Sequence, residues 1–485
     1  MGTNISTRKN LYFNTLLSIS QILYPLITFP YASRVLGPDG IGLFGFVDSI
    51  TQYFLLIAAF GIPIYGIREI ARTSNDGVAR SKVYSELLFL HLCFTGILLV
   101  VYICFFLAVP KLHQHAAMFW VGTGILIFNV FPTEWFFQGI QDFVFVARRT
   151  MIIRLCSIVA LFIFVNEKDD VVIYYLINLI AFILNSLINM YYAGKFVQLS
   201  FRSLSIRRHL RPLGYIFSCN VAISIYLLVD SILLGFMVNN EAVGYYTTAT
   251  RLSKAMILVV TSFSLVMVPK ISKLFREKNK LEINRLLRIS FEYVFFLTVP
   301  IGVGIFIVSE DFIRLYAGAK FLPAVATLKI LAPLALLIGL SNIFNMQVLT
   351  PMGKEKKMLV GVSAGMVCSL LLNVIFIPLW KHNGAAVSNV ITELIVTVFT
   401  GYYALREVDF IVDWSSLFKA VLSSLVFFPI HWAVMQYDLN YLLKLGIVLC
   451  SCGIMYGLIQ YFIWRSMILV QFIQSIKTKI FHEKI

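Results

Sequence analysis

Charged residues are scarce in this chain, at 13% of 485 positions against about 25% in soluble proteins. Long polar stretches are also lacking, because no connection between the apolar runs is long enough to fold as a separate domain. These two absences exclude a conventional soluble enzyme. Lipid is therefore the expected solvent for most of the chain.

Patterns typical of disulfide, metal and nucleotide sites are missing as well. The seven cysteines fall in apolar runs without a CxxC pair, which predicts buried free thiols and neither a disulfide nor a zinc site. No Walker motif is present, so ATP is not the expected energy source. We expect a protein that is not an enzyme and that has no bound cofactor.

Long apolar runs take the place of these features. A helix needs about 20 apolar residues to cross a hydrocarbon layer of about 30 Å, and many runs here are that long. The runs do not alternate with a period of two, so they predict helices rather than strands of a barrel. The predicted fold is an all-α, polytopic membrane protein with about 14 transmembrane helices. The predicted spans are 11–33, 41–62, 83–109, 116–138, 149–166, 171–194, 213–237, 242–269, 287–309, 324–349, 358–378, 383–405, 417–436 and 441–465.

The positive charge follows the topology of these spans. With the N-terminus placed inside, most lysines and arginines fall in the inner connections. This positive-inside bias predicts a multi-pass protein with both termini in the cytoplasm. The formal net charge of +16 then indicates contact with anionic membrane lipids and not with nucleic acid. The first run is too long for a signal peptide and is interpreted as a retained helix.

A weak internal repeat indicates two halves. Pro63 and Pro269 end the second and eighth spans, and segment 37–44 corresponds loosely to segment 239–246. Such repeats are typical of membrane proteins built from two six-helix bundles, although a chance match is the alternative. The predicted organisation is an N-terminal bundle over 1–195, a basic cytoplasmic linker over 196–212, a C-terminal bundle over 213–405, and two additional helices with a basic tail over 406–485.

The two most basic inner connections, 195–212 and 270–288, predict either amphipathic surface helices or solvated loops. In the second, Ile271, Leu274 and Phe275 share one helical face. We expect that face to lie against the membrane surface.

Ionisable side chains inside the spans are the candidate functional residues, because a charge at mid-bilayer costs about 2.5 to 3.5 kcal/mol. The densest group lies on spans 7 and 8, where Asp230 precedes Arg251 and Lys254. Arg251 and Lys254 are three apart and share a helix face. Two interpretations stay open: a salt bridge that locks two helices, or a cavity where the two cations hold an anionic ligand and Asp230 is a gate or counter-charge.

The first half offers a comparable pair, Asp48 in span 2 and Arg154 in span 5. Arg154 could instead extend to the inner surface. Glu393 in span 12 is a further intramembrane acid. His91 and His431 are each interpreted as hydrogen-bonded core residues.

Two sequence blocks resemble a known family. The segment RVLGPDGIGLFGF, which begins at Arg34, and the segment FGIPIYGIREIA, which begins at Phe60, resemble the Wzx-type polysaccharide biosynthesis flippases of the multidrug/oligosaccharidyl-lipid/polysaccharide (MOP) exporter superfamily. The similarity continues through EWFFQGIQ at Glu134 and DSILLG at Asp230, and it covers most of the first 290 residues. It implies two MATE-like helical bundles that alternate access around a partly cationic cavity.

The resemblance also implies a function. It is that of a bacterial inner-membrane protein that moves undecaprenyl-pyrophosphate-linked oligosaccharide repeat units outward, for O-antigen, capsule or another polysaccharide. The implied partners are the lipid-linked oligosaccharide, membrane lipids, a polysaccharide polymerase and a chain-length regulator. Proton or sodium coupling, or the membrane potential, would supply energy. Together with the span analysis, we expect substrate binding at Arg34, Arg154, Arg251 and Lys254, and coupling or gating at Asp48, Asp230 and Glu393.

Other functions stay open from the sequence. A cation-coupled multidrug antiporter of the same superfamily should line its cavity with acids and aromatics, whereas intramembrane acids and bases are nearly balanced here. A membrane enzyme, such as a repeat-unit polymerase or an acyltransferase, would show a large outer loop or a polar catalytic cluster. Flipping of lipid II or export of another polysaccharide would differ only in cargo.

Overall fold

The fold is helical throughout the part of the chain that can be described. In the computed structural model, this part comprises residues 7–73, 76–202, 204–466 and 468–470, and it contains no strand. Eight of its helical segments, some of them made of two consecutive helices, are long and apolar enough to cross a membrane, and shorter apolar helices accompany them. The predicted all-α, polytopic membrane fold is confirmed.

The chain forms two compact units, Met1–Gly244 and Tyr245–Ile485. The predicted linker at 196–212 separates the two predicted sets of six spans, whereas the two compact units are defined by contacts within the chain. The predicted linker therefore stays a prediction. The helices of the first unit are α1 (Thr7–Ala59), α2 (Ile62–Arg72), α3 (Gly77–Ala108), α4 (Pro110–His113), α5 (Ala116–Phe128), α6 (Glu134–Gly139), α7 (Phe143–Phe164), α8 (Val171–Ala193) and α9 (Arg207–Met237).

Helix α10 (Asn240–Glu277) begins at the end of the first unit and continues in the second. The later helices are α11 (Lys280–Tyr316), α12 (Ala324–Leu331), α13 (Leu334–Asn342), α14 (Glu355–Leu405), α15 (Trp414–Ser424), α16 (Phe427–Met435) and α17 (Tyr441–Leu458). A 3₁₀ turn covers Ala319–Phe321, and π-helical turns cover Ile343–Leu349 and Ile459–Ile463.

Helix α1 contains the first two predicted spans, joined at a kink. The kink is at Gly37, whose φ of 72° is in the left-handed region that glycine adopts without steric cost. Helix α14 likewise contains predicted spans 11 and 12, joined at Lys381 with a φ of 51°. The pairs of spans were therefore predicted, but the direct helical junctions were not, and span 41–62 was predicted to extend beyond the end of α1 at Ala59.

The predicted span 116–138 is not one helix. It divides into α5 and α6, and residues 129–133 between them are not helical. Pro132 lacks the amide hydrogen that a continuous helix requires, and Thr133 has a φ of 38°. This break faces a cavity described below.

The core of the first unit is built around aromatic side chains of α6. Trp135, Phe136 and Phe137 are buried with Tyr84 of α3. Helix α2 approaches α6 so closely that a Cβ atom at Gly66 would overlap the Trp135 indole. The close approach therefore requires glycine at this position.

The linker after α8 is bound to the first turns of α3. The backbone amides of Gln198 and Ser200 donate to the hydroxyls of Ser81 and Ser85, each at 3.1 Å. Further along, the Ser205 amide donates to the Glu86 carboxylate at 2.7 Å. Up to Ile206 the described segment is therefore a largely exposed loop, as one of the two interpretations predicted, and α3 supplies acceptors for part of its backbone.

Glu86 is the most buried part of this attachment. Its side chain is fully buried and also accepts from Arg208 at 2.5 Å and from His209 at 2.8 Å. The other ring nitrogen of His209 is 2.8 Å from the Tyr65 hydroxyl. Because α9 begins at Arg207, the end of the predicted linker forms the first turn of that helix.

The second basic connection, 270–288, also differs from the prediction. Its apolar stripe does not lie against the membrane surface, because Ile271 is fully buried and Leu274 and Phe275 pack against the core cluster that contains Ile271, Ile283 and Leu287. Helix α11 begins three residues after α10 ends and folds back over the stripe. Protein therefore covers these side chains instead of lipid.

The predicted burial of the cysteines is wrong for four of them. Cys93, Cys104, Cys156 and Cys450 are exposed on the helices, whereas Cys452 is buried. The outer face of a membrane helix contacts lipid, so an apolar side chain there gains little from facing inward.

Candidate functional site

The first unit encloses a polar cavity of about 490 Å³. Helices α1, α2, α3, α6, α7 and α8 and the break after α5 contribute to its walls. Its polar lining is unusual for the interior of a membrane bundle, and three aromatic side chains accompany it. The polar residues are His91, Asn129, Thr133, Glu134, Gln138, Thr150, Arg154, Ser157, Asn178 and Asn185, and the aromatic residues are Tyr24, Trp135 and Phe182.

The break between α5 and α6 lines this cavity. Asn129, Pro132 and Thr133 are all in the wall. Irregular backbone at membrane depth is tolerated where it lines a cavity, and broken helices are typical of transporter binding sites. The break therefore forms part of the cavity wall at a position where the sequence predicted a continuous helix.

A buried arginine holds the broken segment in place. The Arg149 side chain is 2% exposed, and its Nη2 is 2.5 Å from Oε1 of Glu134. Arg149 also donates to the side-chain oxygen of Asn189, and the Asn189 amide donates to the carbonyl of Pro132. The network joins α6, α7, α8 and the break. Glu134 remains 46% exposed and faces the cavity.

Arg154 provides the positive charge of the cavity. Its Nη1 is 2.5 Å from the Ser20 hydroxyl, and its guanidinium is 5.8 Å from the centre of the Tyr24 ring. Within residues 7–73, 76–202 and 204–466, Arg154 forms no ion pair within 4.0 Å. Arg149 is matched by Glu134, so Arg154 is the cation that an anionic ligand would meet.

The asparagines of α8 present acceptors to the cavity. Asn178 and Asn185 each donate their amide to the carbonyl four residues earlier, at 2.8 Å. Oδ1 of Asn185 is buried and has no hydrogen-bond partner in the described part of the chain. On another wall, Asn129 is 3.2 Å from His91. The cavity can therefore bind hydroxyl groups as well as an anion.

Only Arg154 among the predicted site residues lines this cavity. Asp48 of α1 does not pair with it, because Asp48 interacts electrostatically with Tyr102 and Tyr175. Arg34 is exposed on α1 and donates to the carbonyl of Pro30 at 3.1 Å.

The predicted group on spans 7 and 8 is divided between the units. Asp230 is buried in α9 of the first unit, close to Tyr53. Arg251 is half-buried and Lys254 is exposed, both in α10 of the second unit. The predicted juxtaposition of Asp230 with Arg251 and Lys254 stays a prediction.

Glu393 lies in a buried polar cluster of the second unit. It is hydrogen-bonded to Ser341, which also accepts from the Asn345 amide at 3.1 Å. Asn345 and Gln347 belong to the π-helical turn, and their side-chain oxygens are buried without hydrogen-bond partners among the described residues. No group of three or more His, Cys, Asp or Glu suited to a metal occurs in that part of the chain.

Sequence reasoning missed most of the cavity lining. Arg149, at the start of the predicted span 149–166, was not among the candidate residues, although it is buried in α7 and paired with the cavity residue Glu134. Asn178, Asn185 and Asn189 are spaced seven and four residues apart, which places them on one helix face. That periodicity was the available signal.

Residues 7–275 match the model of a family described as "Polysaccharide biosynthesis protein". The chain belongs to this family. The resemblance stated from the sequence is therefore confirmed.

Other polysaccharide biosynthesis proteins and more distant transporters are similar to the chain. A protein of Escherichia coli (strain K12), provisionally named an O-antigen transporter, is 28% identical over 408 residues, which cover 82% of this chain and 96% of the relative. The solved structure of the lipid II flippase MurJ in an inward closed conformation has a TM-score of 0.75 at 17% identity, covering 93% of this chain and 99% of that one. An inward-facing multidrug resistance MATE transporter of the MOP superfamily has a TM-score of 0.64 at 16% identity, covering 82% and 97%. At these identities the two structures support the fold alone.

Proposed function

We propose that this protein is a flippase for lipid-linked oligosaccharides. It carries undecaprenyl-pyrophosphate-linked repeat units from the cytoplasmic to the outer leaflet by alternating access. The main support is the polar cavity of the first unit, where Arg154, which has no ion pair within 4.0 Å among the described residues, lies among amides and hydroxyls. The name of the Escherichia coli relative points to the same class of cargo.

The chemistry of the cargo explains why such a cavity is needed. Each sugar hydroxyl costs roughly 2 to 7 kcal/mol when it enters hydrocarbon without a hydrogen-bond partner. Asn129, Asn178 and Asn185 would replace water around the sugars. Arg154 would bind the pyrophosphate, since a guanidinium can make two charge-assisted hydrogen bonds to phosphate oxygens. The isoprenoid would stay in lipid.

The cavity does not favour a multidrug antiporter. Such a protein would use unpaired acidic side chains to attract cationic drugs. The acidic residue of this cavity, Glu134, is instead paired with Arg149. The remaining charge is the cation Arg154, which repels a cationic drug.

The remaining parts of the proposal concern location and partners. We place the protein in the bacterial inner membrane with both termini in the cytoplasm, as a transporter and not an enzyme. A polysaccharide polymerase and a chain-length regulator would act on the cargo after it is flipped.

Coupling to an ion would take place at Glu393. This acid is buried and hydrogen-bonded to Ser341, which also accepts from the Asn345 amide, and the Asn345 side-chain oxygen has no partner among the described residues. A buried carboxylate can bind a proton, and together with the neighbouring oxygen atoms it could coordinate a sodium ion. We expect Glu393→Gln to remove the dependence of flipping on a proton or sodium gradient without changing cargo binding. Unchanged gradient dependence in that variant would exclude Glu393 from coupling.

The decisive experiment measures flipping by the full-length protein in vesicles with a labelled lipid-linked oligosaccharide. Arg154→Gln should slow flipping about ten- to a hundredfold, because a hydrogen bond to a charged group contributes about 1.5 to 3 kcal/mol. Arg148→Gln is the matched control, since Arg148 is exposed on the same helix. Equal rates for the two variants would contradict the proposed role of the cavity.

A further inference from the structure

A second polar cavity, of about 190 Å³, lies in the second unit. It is formed by Arg288 and Glu292 of α11, residues 413–420 at the start of α15, and residues 460–466 after α17. The sequence places all three of these helix ends on the inner side of the membrane. Their convergence in one cavity agrees with that topology and locates the cavity at a bilayer surface.

The charges of this cavity are only partly balanced. Arg288 is shared between Glu292 at 3.4 Å and Asp413 at 3.6 Å. Lys419 and Arg465 form no ion pair within the described ranges up to residue 470, and Lys419 Nζ is 6.0 Å from the centre of the Trp464 ring. Two cations therefore lie beside two carboxylates that share a single arginine.

The cavity wall is held by hydrogen bonds. The amide of Gln460 and the indole nitrogen of Trp464 both donate to the Ser423 hydroxyl, at 3.2 and 3.1 Å. Beyond Arg465, which has a φ of 47°, the amide of Ser466 donates to the Gln460 carbonyl at 2.9 Å. These bonds fix the position of the segment after α17 that carries Arg465.

An apolar cavity of about 470 Å³ adjoins the polar one. The two share Phe296 as a wall, and the apolar cavity continues between α11, α16 and α17. Pro300, Val308 and Leu449 are among its lining residues. The second unit thus offers a charged pocket at the membrane surface and an apolar pocket directly beside it.

We propose that these two cavities together bind one bilayer phospholipid with an ethanolamine head group. The phosphate contacts Lys419 and Arg465, the ammonium contacts Glu292 and Asp413, and one acyl chain occupies the apolar cavity. A free phosphate would leave the apolar cavity unfilled, and a purely anionic head group would leave the two carboxylates with Arg288 as their one shared cation. The site is distinct from the cavity of Arg154 and does not depend on the proposed function.

Native mass spectrometry of the delipidated full-length protein tests this assignment. Phosphatidylethanolamine and phosphatidylglycerol with identical acyl chains are added in equal amounts. We expect one tightly retained phosphatidylethanolamine on the unmodified protein. The double variant K419A/R465A should bind it about thirtyfold more weakly, because each basic residue near a lipid surface contributes about 1 kcal/mol.

Two further variants control for charge and for the acyl chain. R276A/K356A removes one arginine and one lysine that are exposed outside the cavities, and it should retain the lipid. Gly457→Leu should weaken binding by filling the apolar cavity, since a Cβ atom at Gly457 meets nothing within 4 Å. Unchanged thermal unfolding of each variant shows that it is folded.

Several outcomes would overturn the proposal. Equal lipid retention by the two double variants would exclude the polar cavity, and equal retention of phosphatidylglycerol would exclude the ethanolamine contact. Displacement by inorganic phosphate would indicate an anion site alone. Displacement by undecaprenyl phosphate at lower concentration than by phosphatidylethanolamine would assign the apolar cavity to the isoprenoid.

Discussion

The substitution Glu86→Gln should release the linker from α3. The buried carboxylate accepts from the Ser205 amide, Arg208 and His209 at 2.5 to 2.8 Å. Glutamine keeps one acceptor oxygen but directs an NH₂ group at another donor. Arg208 is half-exposed and can be hydrated again, whereas His209 is 1% exposed and cannot.

The expected loss is about 3 to 5 kcal/mol, because two hydrogen bonds to a charged group contribute about 1.5 to 3 kcal/mol each and breaking a buried ion pair costs a similar amount. Cleavage by trypsin measures this loss of stability at the linker itself, because trypsin cleaves after arginine and Arg202 lies within the linker. When opening is fast relative to cleavage, the cleavage rate follows the population of the open form. The variant should therefore be cut at Arg202 at least a hundredfold faster, by roughly 1.4 kcal/mol per factor of ten.

Glu69→Gln is the matched control for this experiment. Glu69 pairs with Arg72 at 2.8 Å on an exposed face, and such surface pairs contribute about 0.2 to 1 kcal/mol. Its cleavage should stay close to that of the unmodified protein. If Glu86→Gln is cut no faster than Glu69→Gln, the linker is not held by the buried carboxylate.

Two further predictions concern stability. Hydrogen bonds from Lys354 and Lys357 lower the pKa of Glu407 in the folded protein. The ionised carboxylate therefore stabilises the fold at pH values above the ordinary glutamate pKa of about 4.3. This stabilisation is lost as the pH falls and the carboxylate is protonated. Glu407→Gln should therefore reduce the drop in melting temperature between about pH 5 and pH 3, and an unchanged drop would contradict the assignment. Gly66→Ala should destabilise the protein by about 1 to 3 kcal/mol through overlap with the indole ring of α6. Gly96→Ala, with nothing within 4 Å of the added Cβ, should be neutral or stabilising by up to about 1 kcal/mol, and thermal unfolding of both variants compares them.

The helical fold could be predicted because apolar run length is a direct physical requirement of the bilayer. Helix α8 at Val171–Ala193 agrees with the predicted span 171–194 to within one residue. The break at 129–133 could not be predicted in the same way, because Pro132 is compatible with either a kink or an interruption. Which of these occurs depends on Asn189 and Arg149, which come from other helices and bind the interrupted segment.

The candidate site was predicted only in part for a related reason. Arg154 was identified because a single charge in an apolar span is conspicuous. Asn178 and Asn185 were not identified, because the candidate residues were chosen for their charge. A neutral amide costs less free energy in a membrane span than a charge does, so it did not stand out. The burial of Arg149 depends on Glu134, which belongs to a different helix.

The pairing of Arg149 with Glu134 also constrains how the protein enters the membrane. Helix α7 carries Arg148, Arg149 and Arg154, and a charge that reaches mid-bilayer costs about 2.5 to 3.5 kcal/mol at the translocon. Glu134 is synthesised first and is already in the preceding segment when Arg149 emerges from the ribosome. The two helices can therefore partition as a hairpin in which one charge is already neutralised. The position of Glu134 before Arg149 in the sequence thus favours membrane insertion of this pair of helices, in addition to its role in the folded cavity.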